Sequence, residues 1–158
     1  MKDKFSVGII TKLAMLIAIS VVAAYIPLPS PIGTVALDSA PGFFAVLAYG
    51  WPGTIVLGIG HIFSALKMGF PLGGIHLLIA FFMGFCGLIY FKLYRNYNLI
   101  IASLVGILFN GIVMPLTLIP FFGKGFFISM LGPLLLGAAV NIVVSGILYR
   151  ILNERIEL

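Results

Sequence analysis

Residues 77–90 read LLIAFFMGFCGLIY and residues 99–109 read LIIASLVGILF. Neither stretch holds a charged side chain, and neither alternates polar with apolar positions. A strand with one wet face alternates, and so does a strand of a membrane barrel. A helix that is apolar on every side needs an apolar medium all round it, either a protein interior or a bilayer. The rest of the chain decides between the two. Of 158 residues, 62% are hydrophobic and only 8% charged, against roughly 25% charged in an ordinary soluble domain. Too few charges remain to coat a water-facing surface. The medium is lipid, and the fold class is an all-α membrane protein.

Outward from these two stretches, the only charges between Lys12 and Lys124 are Asp38, Lys67, Lys92 and Arg95. Crossing a hydrocarbon core of about 30 Å takes roughly 20 helical residues. Breaks at Pro, Gly and charge predict a single domain over 1–158, a compact bundle of six transmembrane helices. They fall near 9–27, 37–50, 52–68, 74–93, 98–118 and 128–151. The second is short; Ser39 and Pro41 open it, and Gly50-Trp51-Pro52-Gly53 turns the chain into the third.

Basic residues test the count, because they collect on the cytoplasmic side. Six spans with the N-terminus inside place seven basic residues inside and two, Lys67 and Lys124, outside. Treating 37–68 as one broken span gives five against four. Six spans with both termini cytoplasmic therefore fit better. The start of the chain, with Lys2, Lys4 and an apolar run, imitates a secretory leader. Lys12 interrupts it and the following segment does not turn soluble, so it reads as a span. The outer connections at 27–38, 69–74 and 120–125 are rich in Pro and Gly, and suit either a binding mouth or simple linkage.

The net charge of +5 does not point to nucleic acid, because the basic residues stand singly at helix ends. A lone cysteine, Cys86, leaves no internal disulfide and no cysteine metal cluster. Walker A, HExxH and Gly-x-Ser-x-Gly patterns are absent. Asp38 is the one acidic residue outside the terminal segments, too few for a carboxylate pair. Enzymatic chemistry is not expected, and no cofactor is called for.

Polar groups within lipid are costly and are functional candidates by default. Here they are Asp38, His61, Ser64, Lys67, His76, Asn110, Thr117 and Asn141. On the six-span topology they lie in the middle or outer part of the membrane, which implies a pocket opening outward. Each also has a structural reading. His61 and Ser64, three residues apart, share a helix face, and either read a ligand or tie helices together. Asp38 caps the helix after it or faces a solute. Lys67 is a binding group or an interface anchor, and Lys124 reads as an interface anchor. Asn110 and Asn141 bond a solute or a neighbouring helix. On the first span, Ala14 and Ala18 stand four apart, a spacing that lets another helix approach closely.

Six short spans, inner termini and Ala14-x-x-x-Ala18 together resemble the substrate-binding S component of energy-coupling factor (ECF) vitamin transporters. The resemblance covers essentially the whole chain. It implies a substrate-capture subunit in the bacterial cytoplasmic membrane. Its partners would be a transmembrane scaffold subunit, docked through Ala14 and Ala18, and two ATPase subunits. Val35–Pro41, Gly60-His61, Ser64-Ala65-Leu66, Gly69–Gly73, His76–Ala80, Asn110-Gly111 and Ala139–Asn141 resemble the subgroup assigned to α-ribazole, a cobalamin precursor. For such a ligand, Tyr25, Phe43 or Phe70 would stack on the benzimidazole. Asp38, His61, Asn110 and Asn141 would meet the ribose. A stand-alone carrier or channel, or a membrane enzyme or assembly factor centred on Asp38, His61 and His76, is the alternative.

Overall fold

The computed structural model describes residues 6–31 and 35–153. The predicted cytoplasmic termini, with Lys2, Lys4 and Arg155, lie largely outside these residues. The described chain is helical, with an isolated antiparallel bridge between Pro27 and Ala36 and no strand. Six helices follow in order: α1 Val7–Ala23, α2 Ala40–Tyr49, α3 Thr54–Lys67, α4 Ile75–Asn96, α5 Leu99–Leu116 and α6 Ile119–Asn153. Short 3-10 turns, Leu37–Ser39 and Trp51–Gly53, lead into α2 and α3.

Local chemistry accounts for most of the boundaries. Ser6 opens α1 by accepting the Ile9 N–H, and Asn98 opens α5 by accepting that of Ile101 at 2.9 Å, the usual service of a cap residue. Gly50 ends α2 at φ +75°, a conformation that glycine enters without a Cβ penalty. The run labelled α6 starts at Ile119, but Gly123, at φ 79°, ψ 170°, is not helical and breaks it into a short first piece and the long helix that follows. The break falls within the predicted 120–125 connection.

By length and composition, α4, α5 and α6 are long and apolar enough to cross a membrane; α1 is apolar but shorter. The 10 residues of α2 and the 14 of α3 reach only about 15 and 21 Å. α2 is also the most enclosed element: Ala40 to Leu47 are all buried, against α1, α3, α4 and α6. Its Phe43, Val46 and Leu47 join Leu57, Met83, Tyr90, Met114 and Ile142 in one core. The outer faces carry Leu77, Phe81, Ile100 and Ile128, each more than 60% exposed. Apolar surface on that scale fits a lipid surround.

Within the bundle, α5 and α6 touch closely. A Cβ on Gly111 would lie 2.5 Å from the Leu135 side chain and 2.9 Å from its Cα. Beside it, Phe109–Val113 forms a turn of π-helix inside α5. Such wide turns carry one residue more than an α turn and gather at functional sites.

Candidate functional site

Asp38 and Ser39 precede α2, where the sequence allows them to cap it. Neither side chain does so. The cap comes from Asn141 on α6, whose Oδ1 accepts the N–H groups of Ser39 at 3.0 Å and Ala40 at 2.7 Å. Its Nδ2 donates to the carbonyls of Ala36 and Gly137, each at 2.8 Å. All four hydrogen-bonding positions of this buried amide are engaged. Asn141 therefore holds the Ala36–Ala40 segment against α6 and supplies the cap of α2. The Asp38 carboxylate accepts from the Ser39 hydroxyl at 3.3 Å, and the Ser64 hydroxyl and the backbone N–H groups of Asp38 and Ser39 also face it.

That segment forms one wall of a cavity whose empty space, counting the part open to solvent, is about 780 Å³. Asp38, Ser39, His61, Asn110 and Asn141 supply its polar lining. Phe43, Met83, Met114, Met130, Leu118 and Phe126 are among its apolar walls. Phe43 is almost wholly buried and set edge-to-face on Tyr90, with centroids 5.2 Å apart. A small side chamber shares Ala36, Asp38 and His61, and adds Ser64 and Met68. The connection from α1 to α2 doubles back beside this space, with the Leu28 N–H donating to the Val35 carbonyl at 2.8 Å.

Asn110 sits on the π turn, 7% exposed. Its Nδ2 donates to Cys86 Sγ at 3.3 Å, while Oδ1 is buried with no partner among the described residues. A buried acceptor left unpaired costs about 1–3 kcal/mol. Next to a cavity, that cost is removed once a ligand donates to it.

His61 lies on α3, and its Nε2 is 3.2 Å from Nδ1 of His76 at the start of α4. The Leu72 N–H donates to Nε2 of His76 at 3.4 Å, and Phe70 stands edge-on to the same ring. His76 is 3% exposed and lies behind His61, outside the cavity lining. Leu72, which it holds, belongs to the lining.

The structure brings Asp38, Phe43, His61, Asn110 and Asn141 around one space and leaves the other candidates aside. Ser64 borders the side chamber, with its hydroxyl 3.5 Å from the Ser20 carbonyl on α1. Lys67 donates to the Ala24 carbonyl at 3.2 Å and stacks 3.7 Å from the centre of the Tyr25 ring. Both Lys67 and Tyr25 thereby join the ends of α1 and α3, and Tyr25 is 67% exposed. Phe70 contacts His76 and does not line the main cavity. Ala14 and Ala18 are exposed on α1. The three methionines of the wall were not candidates from sequence, since nothing in an apolar run sets them apart from lipid-facing residues.

A family model described as "ECF transporter, substrate-specific component" matches residues 9–153. No curated protein and no solved structure matches the chain.

Proposed function

Because the chain belongs to the family of ECF transporter substrate-specific components, we propose that it captures α-ribazole from outside the bacterial cytoplasmic membrane. Membership makes it a transport subunit and not an enzyme, acting on a small molecule together with a scaffold subunit and ATPases. The proposal extends this to a substrate, a direction and a topology. Six membrane passages with both termini cytoplasmic agree with the distribution of basic residues. The enclosed position of α2 is compatible with a passage too short to meet lipid along its length. Ala14 and Ala18, exposed on α1, form the docking face for the scaffold.

One observation carries the reading: the cavity lining combines the polar groups of Asp38, His61 and Asn110 with apolar and aromatic walls. That combination suits a flat aromatic system joined to a hydroxylated sugar. Phe43 is positioned for the ring, while the carboxylate, imidazole and amide suit the sugar.

Mass spectrometry of the small molecule that co-purifies with the chain tests the substrate. α-Ribazole is expected, and a different solute overturns that assignment. Reconstitution tests the mode of transport. Uptake is expected only with the scaffold, both ATPases and ATP; flux through vesicles holding the chain alone favours a carrier or channel.

A further inference from the structure

We propose that the cavity accepts only uncharged or cationic solutes, reads them through a fixed donor on His61 and acceptors on Asp38 and Asn110, and rejects the phosphorylated or carboxylated form of the same molecule. This rests on the reading of the cavity as the solute site and adds a rule of charge to it.

The hydrogen-bond chain behind the cavity defines the donor. The Leu72 N–H can only donate, so Nε2 of His76 accepts from it. A neutral His76 then carries its proton on Nδ1 and donates it to Nε2 of His61. Nε2 of His61 is thus an acceptor, and the proton of this neutral ring sits on Nδ1. His76 is a positioning residue: it fixes which nitrogen of His61 is the donor. Nδ1 of His61 has no protein partner recorded among the described residues, and the ring lines both the cavity and its side chamber.

Asp38 and Asn110 supply the acceptors. Asn110 offers its unpartnered Oδ1, and Asp38 offers a carboxylate that the protein meets with the hydroxyls of Ser39 and Ser64 and with backbone N–H groups rather than with a cation. Among the described residues no lysine or arginine lines the cavity. Lys67, the nearest candidate by sequence, is engaged by the Ala24 carbonyl and the Tyr25 ring. An anionic solute would enter without a counter-charge and face the Asp38 carboxylate in a poorly hydrated space, where like charges repel strongly. Asn141 offers no relief, since both of its N–H donors are held by backbone carbonyls.

The test uses the full chain, purified in detergent, and equilibrium binding of solutes paired by charge: α-ribazole and its 5′-phosphate, nicotinamide and nicotinate, pantothenol and pantothenate. The uncharged member is expected to bind at least about tenfold more tightly in any pair that binds. Preference for an anionic member, or failure of every uncharged member to bind, overturns the proposal. If nicotinamide or pantothenol binds and α-ribazole does not, the α-ribazole assignment falls while the charge rule stands. In Asp38→Asn, which keeps the shape of the side chain, discrimination within the pair is expected to shrink to about threefold or less. Unchanged discrimination in a monodisperse variant overturns the role given to Asp38. Ring-¹⁵N spectra of the histidines are expected to show His61 protonated on Nδ1 and to lose that preference in His76→Phe; protonation on Nε2 in the unmodified chain overturns the donor assignment.

Discussion

The side-chain oxygen of Asn141 lies 2.7 Å from the amide nitrogen of Ala40, joining the last helix to the first residue of the most enclosed one. Through this contact, a helix that has no cap of its own receives one from the far end of the chain. The cavity wall and the helix start are therefore a single construction. Substitutions at its two ends should behave differently.

Asn141→Ala removes the cap and leaves buried backbone groups without partners. A loss of about 2–3 kcal/mol in stability is expected, with binding reduced alongside it. Thermal denaturation and ligand titration of the same preparation check this; a stable variant that has lost only binding would make Asn141 a ligand contact.

Asp38→Ala has the opposite signature. Because Asn141 supplies the cap of α2, the thermal stability of the variant should change by no more than about 0.5 kcal/mol. Binding of α-ribazole should fall by tenfold or more, roughly the worth of one charged hydrogen bond. Equal losses of binding and stability would restore a structural role.

Asn110→Ala separates the cost of an orphan from the value of a contact. The unliganded protein is expected to keep its stability or gain slightly, because an unpaired buried oxygen disappears. Affinity should nevertheless drop about tenfold. The gain in melting temperature on adding ligand, compared between the two proteins, reports both effects.

Ala14→Trp places a large ring on an exposed face of α1. Binding of ligand should be unaffected, while co-purification with the scaffold subunit is lost. Normal co-purification would remove this face from the docking surface.

Gly111→Leu overfills the contact between α5 and α6, where a Cβ alone already meets Leu135 at 2.5 Å. Destabilisation of about 1–3 kcal/mol is expected. By contrast Lys67→Met should leave ligand affinity intact and cost about 0.5–1 kcal/mol, the value of its contact with Tyr25. Thermal denaturation of both variants, beside binding, distinguishes the two cases.

The helical class and most helix positions were legible in the spacing of charges, because lipid tolerates so few of them. The enclosure of α2 was not. Hydropathy scores a residue facing lipid and one facing protein alike, so Phe43 and Val46 read no differently from Leu77 and Phe81. Polar residues within spans marked positions that lipid leaves to be explained, but not what they do. Asn110 and Asn141 looked equivalent. One keeps an unpartnered oxygen beside a cavity, and the other uses every polar atom to hold the backbone 102 residues away. Only the distant partner separates them, and no local pattern records it. Tyr25 and Lys67 illustrate the same limit, since each was a candidate until the other accounted for it.

The wide turn at Phe109–Val113 gives the Asn110 wall of the cavity a dependence on length as well as composition. A π turn holds one residue more than the α turn it replaces. Deleting one of its residues other than Asn110 would restore regular winding and leave the flanks in register, because the wide turn already absorbs the extra residue. Asn110 would keep its identity and lose its bearing on Cys86. Comparison of related chains by residue type alone would miss this: a homologue one residue shorter there carries the same letters around a different socket.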